Sequence, residues 1–251
     1  MKKYACVTGS SKGIGREFVY ALNQLGYSLI LVSRNKQDLI DLSQEINDCL
    51  IYDYDLSIED NCLKLYEEIK NLYIEVFINN AGFGYVGEFI DSDLDNELNM
   101  INLNIKALHI FTKLMIKHMN KQETGYILNV SSSASFAPAG PYMATYYASK
   151  HYVTALTLAL QYEINNHIYI GLLAPGPVNT SFNKRANAKG LKGIEASKCV
   201  SYAIKKMFKK KKIIIPSITL RIGIMLSRFL PTSLYIKFIA HQQLKKKEYL
   251  N

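Results

Sequence analysis

The chain has 251 residues, 49% of them hydrophobic, and a formal net charge of +9. That is enough apolar material for one large buried core, and no Pro/Gly/Ser-rich linker or low-complexity tract divides it. An uninterrupted apolar run of about 18 residues is missing, which argues against a membrane-spanning helix. Met1-Lys2-Lys3 resembles the basic start of a secretory signal, but the apolar run behind it stops at Thr8-Gly9, too early for one. Cys6, Cys49, Cys62 and Cys199 form no Cys-x-x-Cys pair and have no nearby His cluster. They read as thiols of a reducing, cytoplasmic compartment, with neither disulfide nor metal site. The basic balance raises nucleic acid as a partner, yet no recognition motif accompanies it. Outside Lys205–Lys212 and Lys245–Lys247 the cations are spread along the chain, so a solvated basic face is expected and no nucleic-acid partner.

In chain order, an apolar strand at about 3–8 runs into Thr8-Gly9-Ser10-Ser11-Lys12-Gly13-Ile14-Gly15. A helical pattern follows, with Phe18, Val19, Leu22 and Leu25 on one side, ending at Gly26. Strand, glycine turn and helix start form a phosphate cradle, because backbone N–H groups and the helix dipole face an anion. The second strand, Leu29 to Val32, ends at Ser33-Arg34, and no acid appears before Asp38. Further strands are predicted at about 49–54, 75–79, 124–131, 168–174 and 212–215. They are Val/Ile/Leu-rich and separated by helical stretches, which predicts a parallel sheet covered on both faces. After the fifth strand come Tyr146 and Lys150, four residues apart and therefore on one helix face. A phenol titrates near pH 10, and a neighbouring ammonium is expected to move it towards neutrality.

Together these motifs resemble the short-chain dehydrogenase/reductase family over about residues 3–216. The matching residues are Gly9 to Gly15, Asp55-Leu56, Asn79-Asn80-Ala81-Gly82, Asn104, Asn129-Val130-Ser131-Ser132, Tyr146 with Lys150, and Pro175-Gly176-Pro177-Val178-Asn179-Thr180. The resemblance implies an α/β Rossmann fold, doubly wound on a mostly parallel seven-stranded sheet. Residues 1–216 would be the cofactor-binding domain and 217–251 a helical extension of it. The implied catalytic set is Asn104, Ser132, Tyr146 and Lys150. The implied cofactor set is Gly9, Ser11, Lys12, Gly13, Ile14, Gly15, Arg34, Asp55, Leu56, Asn80, Ala81, Gly82, Pro175, Gly176, Val178 and Thr180, joined by Tyr146 and Lys150.

An acid at the end of the second strand would accept from the ribose 2′-hydroxyl of NAD. Here Arg34 and Lys12 stand where a 2′-phosphate can be bound, so NADP(H) is the expected cofactor. The implied reaction passes hydride between nicotinamide C4 and a carbonyl or secondary alcohol. Tyr146 would act as acid or base, Lys150 would stabilise the phenolate and hold the ribose, and a serine would orient the oxygen. Asn104 would hold a relay water, and Thr180 the carboxamide. The family serine lies thirteen residues before the tyrosine, whereas Ser132 lies 14 before Tyr146 and Ser133 lies 13. The strand end favours Ser132, with Ser133 as the alternative.

Phe83, Tyr85, Phe136, Tyr142 and Phe182, the last within the loop Ser181–Lys198, predict an apolar or acyl-bearing ketone or aldehyde as substrate. A non-catalytic NADP-binding regulatory or scaffold protein is the alternative reading. Residues 217–251 place Ile222, Met225, Leu226 and Phe229 at helical spacing with Arg221 and Arg228 between them. That segment reads as a lid, a subunit contact in a homo-oligomer, or a peripheral membrane contact.

Overall fold

The computed structural model describes residues 2–164, 167–180 and 193–248. Its elements in chain order are β1 (Tyr4–Thr8), α1 (Gly13–Gln24), β2 (Ser28–Val32), α2 (Lys36–Ser43), β3 (Cys49–Tyr52), α3 (Glu59–Ile69) and β4 (Ile74–Asn79). Then come α4 (Leu94–Ile101), α5 (Leu108–Gln122), β5 (Gly125–Val130), α6 (Ala144–Glu163), β6 (Ile168–Leu173), β7 (Val178–Asn179) and β8 (Ile194–Glu195). The chain continues through α7 (Ala196–Met207), β9 (Ile213–Ile214), α8 (Ile218–Ser227) and α9 (Thr232–Glu248).

Seven strands form one sheet in the order β3-β2-β1-β4-β5-β6-β9. All of its pairings are parallel. This is the doubly wound Rossmann-type α/β arrangement that the motif order implied. Because side chains alternate across a strand, each central strand feeds two cores. Ala5, Val7, Leu29 and Leu31 pack with Phe18 of α1 and Met207 of α7. Cys6, Ile30 and Val32 pack with Leu65 of α3 and Phe111 of α5. Each such large side chain contributes roughly 1.5–3 kcal/mol through burial.

Strand order reverses between β1 and β4, and the crevice this leaves at their carboxyl ends is where ligands bind in such sheets. Thr8 pins the crevice: its hydroxyl donates to the carbonyl of Ile78 at 3.3 Å and accepts from the amides of Asn80 and Ala81 at 2.9 and 3.0 Å.

Several details depart from expectation. Leu25 does not join the buried face of α1; it follows the last helical residue and is 54% exposed. β3 is an edge strand, so Leu50 and Ile51 are only partly covered. The long helix containing Asn104 is interrupted by a π-helical turn at Asn102–Ala107, between α4 and α5. The tail folds back onto the domain. Leu220 and Ile224 of α8 meet Ala174 and Ile215, while Tyr235 and Ile239 of α9 join Val86, Met143, Tyr146 and Tyr147.

Candidate active site

A cleft of about 480 Å³ runs from the glycine turn to the start of α6. At its first end, Gly9 has φ +65°, a conformation that suits glycine. A Cβ on Gly15 would collide with the carbonyl oxygen of Gly9, so α1 begins pressed against the turn before it. No acidic residue occupies the first turn of α1, leaving its amides and dipole open to an anion.

At the other end, two elements deliver the reacting groups. β5 ends at Val130, and Ser131 ties it to α6 by donating to the Lys150 carbonyl at 2.9 Å and sharing a 2.9 Å bond with Thr154. Deeper in, Asn129 donates to Thr157 at 3.0 Å, fixing the same helix against the same strand. Two of the side chains that β5 and α6 then present to the cleft, Ser132 and Tyr146, are hydrogen-bonded to each other. Ser132 also accepts from the Ala134 amide at 3.2 Å, which steadies its rotamer. Ser133 lines the cleft too, and its amide is bound to the Pro175 carbonyl at 2.8 Å.

Lys150 is buried, donates to the Val130 carbonyl at 3.1 Å, and lies 5.8 Å from the centroid of the Tyr146 ring. Burial pulls its ammonium down to about 8. Burial also pushes the Tyr146 phenol up to about 12, partly opposed by the bond to Ser132. The lowering of Tyr146 expected from Lys150 does not emerge in this structure, because burial disfavours the charged phenolate.

The cleft wall gathers Ser132, Tyr146 and Lys150 with Gly9, Ser11, Lys12, Gly13, Ile14, Arg34, Leu56, Asn80, Ala81, Gly82, Pro175, Gly176, Val178 and Thr180. Three predicted residues stand behind it. Gly15 packs against Gly9, and Asp55 is bound to Ser57 and paired with Arg34 at 3.4 Å. Asn104 is fully buried; its side-chain amide donates to the Phe83 carbonyl at 2.8 Å and to Ser149 at 3.1 Å, and its oxygen accepts from the Phe83 amide at 3.0 Å. With both amide hydrogens used, the Asn104 side chain has acceptor capacity only for a relay water.

Of the aromatic residues expected around the substrate, Phe83, Tyr85, Phe136 and Tyr142 are not in the wall of this cleft. Phe83 packs with Val86 and Met143, Phe136 packs with Val153 and Ala174, and Tyr85 and Tyr142 border a small hollow that shares Met143 and Tyr146 with the cleft. Phe182 falls outside the described residues. Leu103, Met143, Tyr147 and Gln243 line the cleft instead. Gln243 had no local signal, since it reaches the cleft only through the packing of α9. Asp38 was also missed as a site residue: it lines the cleft and pairs with Lys12 at 2.7 Å.

Residues 3–190 match the family described as short chain dehydrogenase, three-quarters of the chain. The chain belongs to that family. Among curated relatives, this short-chain dehydrogenase is 31% identical over 198 residues to the mouse 17-beta-hydroxysteroid dehydrogenase type 3, covering 75% of its own length. It spans just under two-thirds, 64%, of that relative. Among solved structures, it resembles a short-chain dehydrogenase from Sphingobium yanoikuyae in complex with NADPH, with a TM-score of 0.81 and 24% identity. That match covers 91% of this chain and 93% of the other. A Burkholderia phymatum member in complex with NAD also scores 0.81, at 20% identity over 90% of this chain and 93% of the other. The chain thus has the Rossmann-type α/β fold of the short-chain dehydrogenase family. None of its described helices is long and apolar enough to cross a membrane.

Proposed function

We propose that this short-chain dehydrogenase is an NADP(H)-dependent reductase or dehydrogenase acting on a carbonyl or secondary alcohol within an apolar molecule. The observation that carries this reading is the continuity of one cleft, with an anion-binding glycine turn at one end and the Ser132–Tyr146 pair beside Lys150 at the other. The residues present fit a dinucleotide, because the turn from Gly9 to Ile14 lines the cleft and the first turn of α1 behind it carries no acid to repel a phosphate. When bound, NADPH supplies hydride from its nicotinamide C4 to the carbonyl carbon.

The chain's own groups do the rest. Tyr146, protonated at neutral pH, donates its proton to the carbonyl oxygen as negative charge develops there. Ser132 orients that oxygen while bonding the same phenol. Lys150 places a cation beneath the ring and steadies the phenolate left behind. Thr180 and Val178 line the cleft where the carboxamide would be held, and Asn104 braces the wall through Phe83. Lys12 and Arg34 recognise the 2′-phosphate, exchanging their partners Asp38 and Asp55 for it.

For the substrate, support comes from Leu103, Met143 and Tyr147 in the wall, and from the steroid named in the mouse relative. Residues 217–251 belong to the same domain in this reading, with α9 as a wall of the substrate end. Leu94, Leu98 and Ile101, exposed along one face of α4, suit a subunit contact in a homo-oligomer. An NADPH-oxidation screen over steroid, acyl and aromatic carbonyl compounds, with Tyr146→Phe in parallel, tests the proposal. Turnover by the wild type alone supports it. Equal inactivity of both proteins with NADPH still bound would favour a non-catalytic NADP-binding protein.

A further inference from the structure

Between Ala196 and Lys247 the chain carries thirteen Lys and Arg and neither Asp nor Glu, while the whole chain nets +9, leaving the remainder at −4. Such asymmetry points to an anionic partner for one part of the molecule. The same segment exposes a continuous apolar stripe. Ile218, Ile222, Met225, Leu226 and Phe229 recur at helical spacing along and just beyond α8, and Phe229 is 84% exposed. The opposite side of the helix, Leu220 and Ile224, is already used against the domain. Burying the stripe therefore needs something other than this chain's own core.

Tyr202 brings charge and stripe together. The Lys206 ammonium lies 5.2 Å and the Arg221 guanidinium 5.7 Å from its ring centroid, so the lysine-rich end of α7 stands beside the first turn of α8. A second copy would set two strongly cationic segments against each other, and like charges across an interface are unfavourable. A nucleic acid would use the cations but leave the stripe in water. An anionic lipid surface satisfies both features.

We infer that the α8 stripe, with the Lys and Arg side chains around it, docks this enzyme on an anionic bilayer at interfacial depth. The docking rests on exposure and charge, and is independent of which carbonyl compound is reduced.

Sedimentation of the full chain with phosphatidylserine–phosphatidylcholine vesicles and with phosphatidylcholine alone tests this, at low and high salt. Binding is expected on the anionic vesicles only, weakened by salt. The double variant Met225→Ser/Phe229→Ser should lower the apparent affinity at least ~10-fold, as should Lys205→Glu/Lys209→Glu, with NADPH binding unchanged as the folding control. These four side chains are exposed, so their replacement leaves the core intact. Absence of binding to anionic vesicles at low salt overturns the inference, and so does equal binding by Met225→Ser/Phe229→Ser. A dimer that dissociates in that variant, without vesicle binding by the wild type, assigns the stripe to a second copy instead.

Discussion

The side-chain amide of Gln243 donates to the hydroxyl of Tyr147 at 2.9 Å, joining residues 96 apart in sequence and both buried. Tyr147 adjoins Tyr146, and Ile239 one turn earlier on α9 packs against the same tyrosines. The tail is thereby coupled to the reacting end of the cleft. Gln243→Leu keeps the volume but leaves the Tyr147 hydroxyl short of a partner, at about 1–3 kcal/mol. The expected outcome is a KM raised several-fold and an NADPH Kd left unchanged, read by steady-state kinetics and fluorescence titration. An unchanged KM would mean that α9 does not wall the substrate end.

Tyr146→Phe removes the proton donor and keeps the ring. Turnover should fall by at least ~10² while NADPH affinity stays within a few-fold. Near-wild-type turnover would reassign the acid. Ser132→Ala should also lose most activity, whereas Ser133→Ala should keep it, because Ser132 holds the bond to the phenol.

Cofactor choice should respond to both members of the Lys12–Asp38 pair. Arg34→Asp loses a charge-assisted contact and adds repulsion, so NADPH should weaken by at least ~10² while NADH changes little. Asp38→Asn frees Lys12 from its partner and should tighten NADPH several-fold without helping NADH. Equal wild-type affinities for the two cofactors, measured by fluorescence titration, would defeat the NADP assignment.

Lys150 carries a pH signature. Its folded value of about 8 lies below that of the unfolded chain, so between about pH 8 and 10.5 the unfolded state binds more protons. Stability from this group therefore rises with pH across that window, and its charge is a burden below pH 8. Urea unfolding of the wild type and of Lys150→Met should show the stability gap between them moving by about 2–3 kcal/mol in favour of the wild type from pH 7 to 10. A gap independent of pH would mean that Lys150 is solvated, and the burial reading would fail.

The sheet and the glycine turn were legible in the chain because their signals are local. Strand runs such as Leu29 to Val32, the cradle from Gly9 to Gly15, and the four-residue step from Tyr146 to Lys150 each follow from backbone geometry over a few residues. Strand order, the π-turn around Asn104 and the entry of Gln243 into the cleft depend on contacts between distant segments, and no period or spacing encodes those. The same limit applies to the aromatics: Phe136 packs with Val153 and Ala174 and Tyr85 borders a hollow beside Tyr146, while Met143 and Tyr147 line the main cleft, and only tertiary packing decides between these places. The balance of charges was likewise a tertiary decision. Sequence put an ammonium one turn from a phenol, and only the tertiary structure decided that both are buried, which raises the phenol and lowers the ammonium and so holds Tyr146 in its protonated form.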